Sequence, residues 1–185
     1  MLRCFVLALS FAACMLAAQA FWDPITAECQ PPAVEGTGEA IDGDTLMLTR
    51  TNGLTDVVRL VSIEAPELYQ VCRVDGEWWS CGIEARDTLA ALLEGRQLSC
   101  LPCGYEPDGA QTMLCRDGEF DIGEHVLRAG MGTSDAYFAN NLQSAESRAF
   151  SAGRGVWQGD WVHPKAWREG QRLGYNPCTG CLFPE

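Results

Sequence analysis

The segment that decides the fold runs from residue 40 to residue 67 and reads AIDGDTLMLTR, TNGLTD and VVRLVSIEAPE. An acidic glycine turn joins two runs of alternating apolar and polar residues, which predicts a pair of β-strands. The second run carries Arg59 and ends by delivering Glu64 and Glu67, while Asp44 closes the turn. Converging carboxylates suit a hard divalent cation, and an adjacent guanidinium suits a phosphate. The pattern therefore indicates metal-assisted phosphodiester hydrolysis.

The N-terminus has the layout of a secretory signal peptide. A positively charged start precedes an apolar run over residues 4–18, and small residues (A-Q-A) follow it. We predict cleavage after Ala20 and a secreted or periplasmic protein without stable membrane insertion, because the run is too short to span a bilayer. Lipidation of Cys14 is the disfavoured alternative, since Phe11 stands where a lipoprotein signal usually has Leu.

The cysteines predict a disulfide-bonded protein. Eight of the ten lie beyond the leader: Cys29, Cys72, Cys81, Cys100, Cys103, Cys115, Cys178 and Cys181. An even set in an oxidising compartment favours disulfides. Cys72 with Cys81 would close a short loop, and Cys100 with Cys115 could bridge neighbouring strands. The C-L-P-C and C-T-G-C spacings leave structural zinc as an alternative.

The charge balance argues against tight binding to nucleic acid duplexes. The chain has 13 basic and 25 acidic residues and a formal net charge of −12. Proteins that hold duplex nucleic acid are usually basic, and no run of Lys or Arg is present. Single-stranded DNA or RNA would therefore be bound only weakly, and no feature of the sequence demands a dimer.

The chain divides into four segments: the signal peptide at 1–20, an irregular segment at 21–34, a domain at 35–168 and a Cys-containing tail at 169–185. Within the domain we predict strands at 35–41, 45–50, 57–63, 97–101 and 111–115, a polar loop at 68–81, and helices over 83–93, 122–129 and 141–152. Asp121 is the expected cap of the second helix, and Gly130 its end. Five short strands and about three helices predict an α+β protein with a five-stranded, OB-fold-like β-barrel.

The sequence resembles the staphylococcal nuclease (thermonuclease) family over about residues 35 to 168. The matching segments are AIDGDT (40–45), VRLVSIEAPE (58–67), CGIEARDTLAALLEG (81–95), FDIGEHVLRAG (120–130) and AGRGVW (152–157). The resemblance implies an OB barrel with three helices and Ca²⁺-dependent cleavage of DNA and RNA.

The resemblance also implies roles for five residues. Asp44 matches a metal-binding Asp, and Glu64 stands where the family usually has a second one. Ala65 matches a position whose backbone carbonyl is a metal ligand. Glu67 matches the carboxylate that positions or activates the attacking water. Arg59 matches the first phosphate-binding Arg.

The family's second phosphate-binding Arg is missing from the motif where it is expected. The segment reads P-D-G-A-Q, which places Ala110 at the Arg position. Loss of a comparable electrostatic contact typically costs on the order of 10²–10⁵ in rate. Arg116, further along the strand, is one candidate to replace it. The sequence thus supports two hypotheses: a Ca²⁺-dependent nuclease with weakened or specialised activity, or a catalytically inactive nuclease-like binding or envelope module.

Overall fold

The computed structural model describes residues 29–106, 108–134 and 140–174. The elements in chain order are β1 (Val34–Ala40), β2 (Thr45–Arg50), β3 (Thr55–Leu60), β4 (Ile63–Glu64), β5 (Cys72–Val74), β6 (Glu77–Trp79), α1 (Cys81–Leu93), β7 (Leu98–Tyr105), β8 (Gln111–Asp117), β9 (Phe120–Asp121), α2 (Ile122–Ala129), β10 (Thr133–Ser134), α3 (Asn140–Ser151) and α4 (Pro164–Arg168). A 3₁₀ turn covers Gly155–Gln158, between α3 and α4.

Five strands close into a barrel. β1 pairs antiparallel with β2 and with β7, β2 pairs with β3, and β7 pairs with β8. The parallel pairing of β3 with β8 closes the circle and sets Arg59 opposite Thr112. The predicted α+β class and OB-fold-like barrel are therefore confirmed.

The barrel core is built from the alternating apolar residues of the decisive segment. Leu46 and Leu48 of β2 and Val58 of β3 are fully buried. Helix α1 covers this end of the barrel with the buried side chains of Leu89 and Leu93. Each buried side chain of this kind stabilises the fold by roughly 1.5–3 kcal/mol. The period-two pattern that predicted the strands is thus the pattern of burial.

The helix ends agree with the capping signals in the sequence. The carboxylate of Asp121 accepts a hydrogen bond from the backbone N–H of Glu124 at 3.1 Å, which caps the start of α2. Gly130 ends the helix with a φ of 77°, a left-handed conformation that favours glycine. Helix α3 spans Asn140–Ser151, within one residue of the predicted 141–152.

Disulfides join three cysteine pairs among the described residues: Cys29–Cys103, Cys72–Cys81 and Cys100–Cys115. The last two are the pairs proposed from the sequence. The C-L-P-C motif is divided between two disulfides, so neither of its cysteines is available for zinc. Disulfides persist in oxidising compartments, so these three fit an extracellular or periplasmic protein.

One local prediction was wrong. Residues 68–81, expected to form a polar loop, contain the hairpin of β5 and β6. Asp75 and Gly76 form its turn with φ values of 51° and 87°. An Asp-Gly pair with two positive φ angles is the usual sequence of a two-residue hairpin turn, so residues 75 and 76 indicate this hairpin locally.

Several predictions concern residues outside those described. They are the signal peptide at 1–20 with cleavage after Ala20, the Cys14 alternative, residues 21–28 of the irregular segment, and residues 175–185 of the tail with Cys178 and Cys181. Among the helices that the structure describes, none has the length and apolar character required to cross a bilayer.

Candidate active site

The turn between β1 and β2 is shaped by its own acidic side chain. The carboxylate of Asp42 accepts hydrogen bonds from the backbone N–H groups of Asp44 at 3.0 Å and Thr45 at 2.7 Å. A Cβ at Gly43 would lie only 2.7 Å from the Cβ of Ala65. The D-G-D-T motif therefore turns the chain tightly and brings it against the segment that follows β4.

Asp44 is the buried acid of the site, with 6% of its surface exposed. Its Oδ2 accepts from the N–H of Ala65 and its Oδ1 from the hydroxyl of Thr45, each at 2.9 Å. Burial, followed by the nearby charge of Asp42, raises the pKa of Asp44 to about 8 despite these bonds and Arg59. This carboxyl is short of positive charge, so a bound cation would stabilise its ionised form.

Arg59 is fixed beside Asp44 by strand register. It lies opposite Thr45 in the β2–β3 ladder, and its Nε is 3.8 Å from Asp44 Oδ1. Its Nη1 donates to Asp108 Oδ2 at 3.2 Å. Burial opposes its charged form, but the two carboxylates outweigh burial and raise the pKa of Arg59. Arg59 is therefore a permanent cation held by the barrel wall.

Glu64 and Glu67 share a single guanidinium that the sequence did not predict. Arg168 of α4 donates from Nη1 to Glu67 Oε1 at 2.6 Å and from Nη2 to Glu64 Oε2 at 2.8 Å. These bonds hold the two carboxylates on one cation and raise the pKa of Arg168 even though partial burial opposes its charge. Arg168 thus binds Glu64, which the resemblance predicts to be a metal ligand.

Two contacts hold the segment before α4 against the loop that carries Glu67. Gln70 is fully buried, and its side chain accepts from the N–H of Glu67 at 3.2 Å and donates to the carbonyl of Val162 at 2.5 Å. The backbones of Arg73 and Asp160 exchange hydrogen bonds of 2.9 and 2.7 Å. These contacts place α4, and with it Arg168, at the barrel mouth.

A cleft of about 480 Å³ joins the two groups of charges, and its lining residues are Arg59, Glu64, Glu106, Asp108, Lys165, Arg168 and Glu169. Ala110 lies next to this lining, because its N–H donates to Asp108 at 2.9 Å. Arg116, the replacement considered from the sequence, pairs instead with Asp121, the cap of α2, at 3.3 Å.

The predicted metal ligands are divided between two cations. Asp44 and Ala65 contact each other beside Arg59, whereas Glu64 and Glu67 are held by Arg168. Among the residues that the structure describes, no three His, Cys, Asp or Glu side chains are gathered as a metal site requires. The predicted donors are oxygen atoms, which a hard cation prefers, but Glu64 and Glu67 would have to leave Arg168 to bind a cation together with Asp44.

Comparisons with known proteins add no family assignment. No protein-family model matches the chain, and no curated protein matches it significantly. The resemblance to the staphylococcal nuclease family therefore rests on the short motifs quoted above.

Sequence reasoning missed Arg168 and its neighbour Lys165. The motif H-P-K-A-W-R does predict a short helix, because Pro favours the first helical position. Lys165 and Arg168 are three residues apart, which places both on one helical face. Nothing local, however, indicates that this face meets the barrel mouth.

Proposed function

We propose that this protein is a staphylococcal-nuclease-like, Ca²⁺-dependent phosphodiester hydrolase that acts on DNA or RNA with weakened or specialised activity. The observation that carries the proposal is one cleft on a five-stranded barrel, lined by Arg59 and Glu64 and bordered by Asp44 and Glu67. The cleft combines carboxylates for a cation and a general base with a guanidinium for a phosphate.

Each group has a role that its surroundings support. Asp44, Glu64 and the carbonyl of Ala65 would hold Ca²⁺, which when bound polarises the phosphate and lowers the pKa of a water molecule. Arg59 is held by Asp44 and Asp108, so it offers a pre-oriented charge to the phosphate. Glu67 is half-buried at the cleft and would position or deprotonate the attacking water.

Weak or specialised activity follows from Ala110 and from the overall charge. Ala110 removes a guanidinium from the loop next to the cleft, and the net charge of −12 repels a polyanion at long range. We expect short or single-stranded substrates to be preferred over duplexes, since fewer phosphates then face the acidic surface.

A second candidate function is a catalytically inactive, nuclease-like binding or envelope module. The observation that favours it is the ion pairing of both Glu64 and Glu67 with Arg168. Carboxylates neutralised in this way need no metal, and the barrel and its disulfides would remain as a rigid scaffold.

Cleavage of labelled single-stranded DNA and RNA separates the two candidates. The protein without residues 1–20, with its disulfides intact, is assayed with Ca²⁺ and with a chelator. We expect chelator-sensitive cleavage that Glu67→Gln lowers by at least about 10²-fold, because general-base catalysis contributes 10²–10⁴. Glu84→Gln, the same change on the exposed face of α1, should leave the rate unchanged. No cleavage and no Ca²⁺-induced rise in Tm would instead establish the inactive module.

A further inference from the structure

We propose that Arg168 is the second phosphate-binding guanidinium of this cleft, supplied by the C-terminal helix α4 instead of by the position of Ala110. The inference rests on the proposed function, because it assigns a residue to the same site. It makes the site more complete than the sequence motif alone indicates.

Ala110 lies next to the cavity that Arg168 lines. Arg168 and Arg59 both line the cleft, and so do Glu106 and Asp108, which precede Ala110 in the same loop. The N–H of Glu106 donates to the carbonyl of Ala110 at 2.8 Å, and Asp108 accepts from its N–H. A cation from α4 therefore reaches the cavity beside which the family motif places its own.

Arg168 has the donors that phosphate recognition requires. Its two ion pairs use one hydrogen bond from Nη1 and one from Nη2, and a guanidinium carries five N–H groups. Its side chain is 38% exposed and lines the cleft, so part of it is open to solvent there. Arginine binds phosphate through two parallel hydrogen bonds, which a lysine cannot reproduce.

Arg168 also removes an obstacle to anion binding. Glu64 and Glu67 would repel a phosphate in the cleft, and Asp108, Glu106 and Glu169 add to that repulsion. The guanidinium neutralises the first two by direct contact. Without Arg168, the cleft would retain Arg59 and Lys165 against these acids, and the binding of a phosphate would weaken.

Binding of thymidine 5′-monophosphate, measured by calorimetry with and without Ca²⁺, tests the proposal apart from catalysis. We expect Arg168→Ala to weaken binding by about 10- to 100-fold, in line with a charge-assisted hydrogen bond. Arg168→Lys should recover part of the loss through its charge. The matched control is Arg172→Ala. It removes another guanidinium, which stacks on Trp167 at 3.7 Å from the ring centroid. It should change the affinity less than twofold.

Relocation of the charge gives the decisive variant. Ala110→Arg in the Arg168→Ala background should restore nucleotide affinity to within a few-fold of the natural protein, because it returns a guanidinium to the same cleft. Folding of every variant is checked by its melting transition, and Arg168→Lys serves where Arg168→Ala does not fold.

Two results would overturn the assignment. One is equal nucleotide affinity for Arg168→Ala and Arg172→Ala. The other is tighter Ca²⁺ binding and faster cleavage by Arg168→Ala, which would make Arg168 a lock on Glu64 and Glu67. Absence of cleavage by the natural protein would refute the proposed function alone, since nucleotide affinity still decides the role of Arg168.

Discussion

The cleft contains two cation–carboxylate groups of different origin. The barrel-side pair, Asp44 with Arg59, comes from neighbouring strands and is set by the register of one hairpin. The helix-side group, Arg168 with Glu64 and Glu67, joins residues 104 and 101 positions apart in the sequence. The first is therefore determined locally, and the second exists only once the C-terminal segment has packed against the barrel.

The two groups also differ in how firmly they are held. Asp44 is buried and accepts two further hydrogen bonds, so the barrel-side pair is part of the scaffold. The helix-side group is partly exposed, and exposed ion pairs are worth only about 0.2–1 kcal/mol each. Arg168 can consequently exchange partners at little cost.

The largest expected effect tests the barrel-side pair. Arg59→Ala should lower kcat/KM for single-stranded DNA by about 10²–10³-fold, because it removes a pre-oriented charge from the phosphate. Arg59→Lys should fall between this variant and the natural protein. Arg148→Ala, which removes an exposed guanidinium from α3, should leave kcat/KM within twofold. A loss as large for Arg148→Ala would mean that overall charge, and not the pair, governs the rate.

The next effect concerns the pH dependence of stability without Ca²⁺. Folding raises the pKa of Asp44 from 3.8 to about 8, so the folded protein keeps a proton that the unfolded chain releases above about pH 4. The contribution of this proton to the free energy of unfolding is complete below that pH. It is lost as pH rises towards 8, by up to about 1.4 kcal/mol per pH unit.

Asp44→Asn should remove this slope between pH 5 and 7 in urea unfolding curves. The exposed Asp87→Asn should leave it unchanged, because its carboxylate is open to solvent in both states. A slope that persists in Asp44→Asn would assign the titration to another group.

A smaller effect is expected from removing disulfides, one near the helix-side group and one in the barrel wall. Removal of Cys72–Cys81 by Ser substitution opens a loop with a sequence separation of 9 and should cost about 2–3 kcal/mol of stability. This disulfide lies beside the hairpin that contacts Asp160, so nucleotide affinity should fall as well. The matched removal of Cys100–Cys115, in the barrel wall, should lower stability without a selective loss of affinity in the protein that remains folded. Equal losses of affinity would contradict the division.

The smallest effect tests Gln70, whose side chain links Glu67 to Val162. Gln70→Leu leaves the partly buried N–H of Glu67 and the carbonyl of Val162 without their partners, which should cost about 1–2 kcal/mol. Nucleotide affinity should fall in the same direction as in Arg168→Ala, because α4 loses its anchor. The exposed Gln171→Leu is the control and should alter neither quantity. Unchanged affinity in Gln70→Leu would show that α4 is placed by other contacts.

The fold was largely predictable because its signals are local. Alternation in β2 and β3, the Asp121 cap and the Gly130 end each act within a few residues, and the structure confirms them. The Asp75-Gly76 hairpin was also a local signal, but the surrounding polar residues concealed it. The order of the elements and the family resemblance together indicated the five-stranded barrel, which the pairing of β3 with β8 closes.

The sequence predicted the four charged residues Asp44, Arg59, Glu64 and Glu67 but not the cation that holds the last two. Asp44 and Arg59 follow from a hairpin register, which a sequence motif records. The position of Arg168 depends on the buried Gln70 and on the two backbone hydrogen bonds between Arg73 and Asp160. Neither contact has a sequence pattern of its own. Ala110 could be singled out from the sequence through the family resemblance, whereas the position of Arg168 depends on tertiary packing.

Gly159 is an uncharged residue outside the cleft whose substitution would displace the segment that leads to α4. Its φ of −163° is extended backbone that any residue adopts, but an added Cβ would lie 2.1 Å from the carbonyl oxygen of Arg73. Even alanine there would force Asp160 away from β5 and carry α4 with it. Replacement of this glycine is therefore expected to displace Arg168 from Glu64 and Glu67, although the substituted residue contacts none of the three.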